Sequence, residues 1–317
     1  MRARRAAWAL LAILIGLSGA VVMVAAAGAR RTDSAYTRYL AATHGSDLLL
    51  SSNATGSPQL YADIAKVRGA AAVAPVVGYG TAPVGDLHQP LLVDAATDGE
   101  FGNLVERPRL TAGRLPDPDA PYDVVADRNT ARMLRLHAGS TIRVAVARAT
   151  EELPNMARDP VVTLHVVGIG TTRDSVIAVN ALAEQPSLVA GPAFTRRFGS
   201  EYHAFGGAYV TLQPDASRAA FISAAQAIAR RYPQAGGGLF AADEGQQAAR
   251  VESAIRPQAI ALALFALLTA ITVFVAVGQV VARQVQAASS DSDTLAGLGM
   301  VRRRRAAVVL AQVALTA

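Results

Sequence analysis

The sequence predicts a membrane α-helical protein that carries a large extracytoplasmic α+β domain between its first two spans. Three observations lead there. Two uncharged runs, at 6–29 and 257–282, are each long enough to cross a bilayer as helix. Residues 30–256 between them alternate short strand and helix signals. Only 17% of the 317 residues are charged and 52% are hydrophobic, whereas a water-soluble domain carries about 25% charge.

Residues 1–5 form a short cytoplasmic N-terminus with Arg2, Arg4 and Arg5. The run 6–29 follows without a charge. As helix it covers roughly 36 Å at about 1.5 Å per residue, against a hydrocarbon core of about 30 Å. A cleaved signal peptide is the alternative, since Ala25, Ala26 and Ala27 are small, but signal cores run only about 7–15 residues.

Within 30–256 the elements come in order. Strands are expected at 47–51, at 71–79 (broken by Pro75), at 91–94 and at 123–126, with a short helix from Ser57 through Lys66. Asp127 should cap a helix carrying Ala131, Leu134 and Leu136, because a carboxylate at that position accepts an orphan N–H. Residues 141–146 and 161–167 alternate at period two, the mark of a half-buried strand. A strand at 208–212 leads to a helix at 215–231 with Ala219, Ile222, Ala225 and Ile228 on one face. The pattern reads as α+β, in one or two lobes. A loop at 236–238 precedes a helix from Asp243 that continues into the second span.

That span, 257–282, is flanked by Arg256 and Arg283, and Pro257 suits a first helical turn. Positive flanks stay cytoplasmic and long translocated regions are discounted, so both ends lie inside and 30–256 outside. Residues 283–305 form a cytoplasmic segment, and 306–317 read as the start of a truncated third transmembrane helix. The chain is therefore expected in a bacterial plasma membrane as part of a longer multi-pass protein.

Charge excludes nucleic acid as a partner. Residues 1–32 hold five Arg and no acid, 257–317 hold five Arg against Asp291 and Asp293, and 33–256 hold 20 basic and 22 acidic residues. A phosphate-tracking domain needs clustered positive charge on the folded unit; here the excess lies beside the apolar runs and marks contact with the lipid bilayer.

No catalytic constellation emerges, and neither an enzyme nor a cofactor is expected. Cysteine is absent. His44, His88, His137, His165 and His203 share no metal-ligand spacing, and His165 falls in an alternating strand. Gly78-Tyr79-Gly80 lacks a third glycine, and Glu151-Glu152 reads as a solvated loop. The one lysine, Lys66, sits outside any P-loop, whose lysine must reach the phosphates. ATP hydrolysis, if used, falls to a partner.

Three stretches carry a likeness to a known family. They are Gly28-Ala29-Arg30-Arg31-Thr32-Asp33-Ser34-Ala35-Tyr36, then Leu110-Thr111-Ala112-Gly113-Arg114-Leu115-Pro116 with Asp123-Val124-Val125-Ala126 and Ala138-Gly139-Ser140, then Asp293-Thr294-Leu295-Ala296-Gly297-Leu298-Gly299-Met300-Val301-Arg302-Arg303. In this order of parts the chain resembles the FtsX-like permeases of ABC transporters with a MacB-like periplasmic core domain. The resemblance implies a mechanotransmission permease: a partner ABC ATPase subunit closes, the long helices shift, and the outer domains of a homo- or pseudo-dimer of permease halves move. It assigns the ATPase-coupling surface to Leu295, Leu298, Val301, Arg302 and Arg303, with Gly297 departing from the better helix former usual there. The rival class is a membrane-anchored extracytoplasmic sensor domain, which needs an output module that the sequence does not contain.

Overall fold

The computed structural model describes residues 2–52, 58–86, 88–149, 151, 154–155, 157–173, 185–232 and 239–297. The chain divides into two compact units, 36–251 and the two flanking segments 1–35 and 252–317.

The described residues of the flanking unit are helical. Helix α1 runs Arg2–Asp33 and so contains the first expected span. Ile13, Leu17, Val21, Met23 and Val24 on it are exposed. The last described helix, α7, runs Glu244–Gly297. Its stretch Arg256–Val280 is, among the described residues, the one helix long and apolar enough to cross a membrane, and almost all of it lies open. Phe274 is 82% exposed. Pro257 stands inside α7, not in its first turn. The helix begins thirteen residues earlier than the proline, so its ring removes one rung of the ladder where the apolar stretch starts.

The unit 36–251 opens with α2 (Ala35–Thr43), then β1 (Leu48–Ser52), α3 (Pro58–Ile64), β2 (Ala70–Pro83), β3 (Leu91–Ala96), β4 (Arg109–Gly113) and β5 (Asp123–Asp127). It continues through α4 (Arg128–Met133), β6 (Thr141–Val146), β7 (Val161–Thr171), β8 (Ser187–Ala190), α5 (Pro192–Arg197), β9 (Phe205–Leu212), α6 (Arg218–Ala229) and β10 (Leu239–Asp243). Among these, α2, β4, β8, α5 and β10 carry no clear sequence signal.

The pairing pattern closes on itself. The sheet runs β10-β1-β9-β2-β3-β8-β5-β7-β4, and β6 pairs with both β2 and β7. Strands β2, β3, β8, β5, β7 and β6 thereby form a closed ring of six. Closure leaves no edge within the ring. The open strands β9, β1 and β10 extend from the N-terminal half of β2 (Val76↔Gly207, Leu50↔Ala208, Leu50↔Ala241).

Strand β2 serves both halves through its alternation. Val73 packs with Leu48, Leu60, Ile64, Val210 and Phe221 under α3 and α6. Further along the same face, Val77 and Tyr79 fill the ring interior with Val93, Val124, Leu164, Leu188 and Phe194. Ala74 and Val76 on the other face meet Phe101, Val125 and Val189.

Pro75 does not break this strand. Its carbonyl accepts Thr97 N–H at 3.3 Å on the β3 side, where pairing ends at Val76↔Ala96. The missing N–H faces that same side, so no ladder bond is lost. Helix α4 is shorter than expected: Asp127 caps it, accepting Asn129 N–H at 2.7 Å, but Arg135 takes φ +54° and Leu136 N–H returns to the Ala131 carbonyl at 2.8 Å. That is a left-handed helix stop, and Leu134 and Leu136 pack against the ring core from beyond the helix end. Helix α6 starts at Arg218 under a Ser217 cap rather than at Asp215, and it buries Phe221, Ala225 and Ala229, with Ala219 exposed.

Candidate functional site: the paired strands beside the flanking helices

Strand β1 follows directly from the α1–α2 helices, and β10 leads directly into α7. The two strands pair antiparallel, Leu48↔Asp243 through Ser52↔Leu239. One side chain ties their ends. Arg218, the first residue of α6, reaches Asp47 Oδ1 and Asp243 Oδ1 at 3.0 Å each, while Asp47 Oδ2 accepts Leu212 N–H at 2.8 Å. A guanidinium fork suits two carboxylates at once; a compact ammonium does not.

The residue before Asp47 belongs to a second network. Ser46 gives its N–H and hydroxyl to Glu106 Oε1 at 2.7 and 2.8 Å. Arg173, beyond the end of β7, meets the same Glu106 oxygen at 2.7 Å and the Ser46 carbonyl at 3.0 Å. Both charged side chains are buried, 7% and 6% exposed, so their pairing is what makes burial tolerable. Around them, Arg107 N–H bonds the Thr43 carbonyl at 2.8 Å, and the Tyr39 hydroxyl points at the Thr171 carbonyl at 3.4 Å. Burial, and after it the Glu106 carboxylate, pushes the Tyr39 phenol well above its ordinary pKa. Residues 46 and 47 thus join the helix α2 to the ring on one side and to the open strands on the other.

The ring has its own fixed corner. Gly113 (φ +76°) pairs with Gly168, and a Cβ there would collide with the Val167 carbonyl oxygen; only glycine allows that approach. The next residue, Arg114, reaches Asp123 Oδ2 at 2.7 Å. Gly139 (φ +95°) similarly turns the chain into β6 and gives its N–H to the Val166 carbonyl at 2.7 Å.

The residues expected to contact an ATPase fall elsewhere. Leu295 is in the last turn of α7, which ends at Gly297; Leu298, Val301, Arg302 and Arg303 lie outside the described residues. Other sequence features take structural places. Gly78-Tyr79-Gly80 is the middle of β2, where the bare Gly78 makes room for the Phe205 ring. His165 is exposed at 3.9 Å from Asp123, His44 contacts the Leu104 carbonyl at 2.9 Å, and His203 stacks edge-on against Tyr79 at 5.2 Å. Among the described residues, no group of three or more His, Asp and Glu could hold a metal. Sequence reading missed Asp47, Glu106, Arg173, Arg218 and Asp243. Their one local signal is a carboxylate at the outer end of an apolar run, which Asp47 and Asp243 share.

The family model described as the MacB-like periplasmic core domain matches residues 6–228. No curated protein matches the sequence. Among solved structures, the periplasmic region of MacB from Actinobacillus actinomycetemcomitans is 12% identical, with 65% of this chain and 92% of that one covered at a TM-score of 0.41. A domain of a protein described as a permease from Porphyromonas gingivalis is 13% identical, covering 62% and 88% at 0.36. The extracellular domain of the noncanonic ABC-type transporter YknZ from Gram-positive bacteria is 7% identical, covering 61% and 99% at 0.38.

Proposed function

Because this chain belongs to the MacB-like periplasmic core domain family, we propose that it is a permease subunit of an ABC transporter of the FtsX/MacB mechanotransmission type. The chain sits in a bacterial plasma membrane through spans at 6–29 and 257–282, with 30–256 outside, and works in a homo- or pseudo-dimer. A separate ABC ATPase hydrolyses ATP. Its closure displaces the cytoplasmic segment 283–305, and the displacement travels along α7 to the outer domain for export or extraction of a substrate.

The observation that carries this reading is the direct pairing of β1 with β10. The strand leaving the first helix and the strand entering the last one share five residue pairs and one arginine. A displacement of either helix therefore loads the same edge of the outer domain. α7 itself is continuous from Glu244 to Gly297, about 80 Å at 1.5 Å per residue, so the same helix holds both the strand attachment and Leu295.

The test addresses the coupling surface. Leu295, Leu298 and Val301 recur at i, i+3 and i+6, and burying one leucine on a partner is worth about 1.5–3 kcal/mol. Leu298→Asp should abolish co-purification with the ATPase while membrane insertion stays intact. Full-strength binding by the mutant would remove the coupling role from this segment.

A further inference from the structure

Just before β9 begins, a histidine is packed against the aromatic cluster of the ring. Residues Ser200–Tyr202 form a short 3-10 turn, and His203 follows it, giving its backbone N–H to the Ser200 carbonyl at 3.2 Å. The next N–H, that of Ala204, bonds the Gly78 carbonyl of β2 at 2.8 Å. The His203 imidazole is thereby set edge-on against Tyr79, with the rings 5.2 Å apart and their planes at 88°. Tyr79 is fully buried and packs in turn on Phe194 and Phe198 at 4.9 and 6.0 Å. Tyr202 meets Phe198 edge-on at 5.8 Å. Two aromatic contacts, His203 to Tyr79 and Tyr202 to Phe198, therefore hold the turn on the ring.

The surroundings suit a neutral imidazole only. Its Nε2 is sealed from water and, among the described residues, has no hydrogen-bond partner. Burial holds its pKa below the ordinary value. From β2 the titratable neighbour is Tyr79, whose phenol burial pushes up to about 12, so it stays neutral. In the turn, the exposed Glu201 lies 3.7 Å from Arg148. The segment joining β6 to β7 supplies Arg148 itself, whose guanidinium lies over the Tyr202 ring at 5.7 Å. It also supplies Asp159, a buried carboxylate 3.4 Å from the Arg148 Nε. From α5, the Arg197 guanidinium lies 5.7 Å over Phe198. Both carboxylates of this region are paired with Arg148, so an imidazolium at 203 would be buried without a counter-charge.

We propose that His203 is a pH-responsive latch, which holds the Ser200–Tyr202 turn on the ring when neutral and leaves Tyr79 for water, taking the turn with it, when protonated. A buried ion without a partner costs far more than a neutral ring in the same place. Its departure parts Tyr202 from Phe198 and draws Glu201 away from Arg148. It also strains the bond from Ala149 N–H to the Glu201 carbonyl, 2.8 Å when closed, so the segment after β6 loses its hold on the turn in the same step. The open form takes the proton first, because there the imidazole regains its ordinary pKa of about 6.5. The closed form is thus fully favoured above about pH 6.5 and loses ground as pH falls toward the folded pKa, by at most about tenfold per pH unit for one proton. A periplasmic core domain meets the pH of its surroundings directly. The latch lies within residues 36–251 and does not require a partner ATPase, so its failure would leave the permease reading standing.

Hydrogen exchange in the full chain at about pH 7.5 and about pH 5.5, corrected for the intrinsic pH dependence of exchange, tests the latch. Protection across 198–205 should fall on acidification by up to about tenfold per pH unit below about pH 6.5, while β3 and β8 keep theirs. His203→Phe keeps a ring against Tyr79 that cannot take a proton, and it should stay closed at both pH values. His203→Lys carries a charge at both and should be open at the higher pH as well. An acid-insensitive parent, or acid opening that survives His203→Phe, overturns the proposal. Equal loss of protection in β3 and β8 also overturns it, since the proton would then act on the whole outer unit. The parent chain supplies a check that needs no variant: a fall steeper than about tenfold per pH unit requires a second proton and excludes His203 as the single switch.

Discussion

Arg218→Ala tests the clamp between the two strands. Arg218 is 40% exposed, Asp47 31% and Asp243 22%, so water screens both ion pairs. Each is therefore taken at about 0.5–1 kcal/mol, and the loss of both at about 1–2 kcal/mol. The substitution also leaves two carboxylates at adjacent strand ends without their shared cation. Because β10 pairs, among the described strands, only with β1, the cost should appear as local opening before global unfolding. A change of one to two kcal/mol is about a 5–30-fold shift in an equilibrium. Hydrogen exchange in the full chain should accelerate by that factor across Leu239–Asp243, with the ring strands unchanged. Arg218→Lys should fall between, since a compact ammonium satisfies one carboxylate at a time. High salt should narrow the gap between parent and mutant. The reasoning is refuted if β10 keeps its protection, or if Arg230→Ala, an exposed arginine at the other end of α6, loosens β10 as much.

Other substitutions probe the remaining supports. Glu106→Gln leaves Arg173 buried without its carboxylate, which costs about 3–5 kcal/mol; thermal unfolding of the outer unit should drop by roughly 10 °C, and no drop would show that the pair is not stabilising. Gly113→Ala puts a methyl against the Val167 carbonyl at a left-handed φ and should destabilise by more than about 1 kcal/mol in denaturant titration. Burial holds the His203 imidazole below its ordinary pKa, so the unfolded chain takes up that proton first. His203 stability is therefore full above about pH 6.5 and is lost as pH falls from there toward the folded pKa. Urea midpoints measured downward from neutral pH should fall less steeply in His203→Gln than in the parent, and an identical slope would clear His203 of the effect.

Much of what is local could be read in the amino-acid order. An uncharged stretch of 26 residues is long enough to cross a bilayer as helix, and Arg256–Val280 is an apolar helical stretch that lies open. Asp127 caps α4 because its carboxylate needs only the N–H two residues on. Strands β6 and β7 announce themselves by alternation. Family membership followed from such patterns too, through the Gly113-Arg114 turn and the Gly139 entry into β6, each of which depends on backbone freedom at one residue.

Tertiary structure decided what depends on distant partners. Strand β8 is four buried residues, too short to show a period, and exists because β3 and β5 flank it. Strand β10 forms against β1, about 190 residues earlier in the chain, a separation that local propensity cannot register. The end of β3 pairing at Val76↔Ala96 allowed Pro75 to remain in a strand, and the left-handed Arg135 cut α4 short where helix periodicity would have carried it on. The clamp is the clearest case. Arg218 lies 171 residues from Asp47, and nothing in either neighbourhood marks them as partners, because an ion pair is defined by where two charges end up and not by the residues beside them.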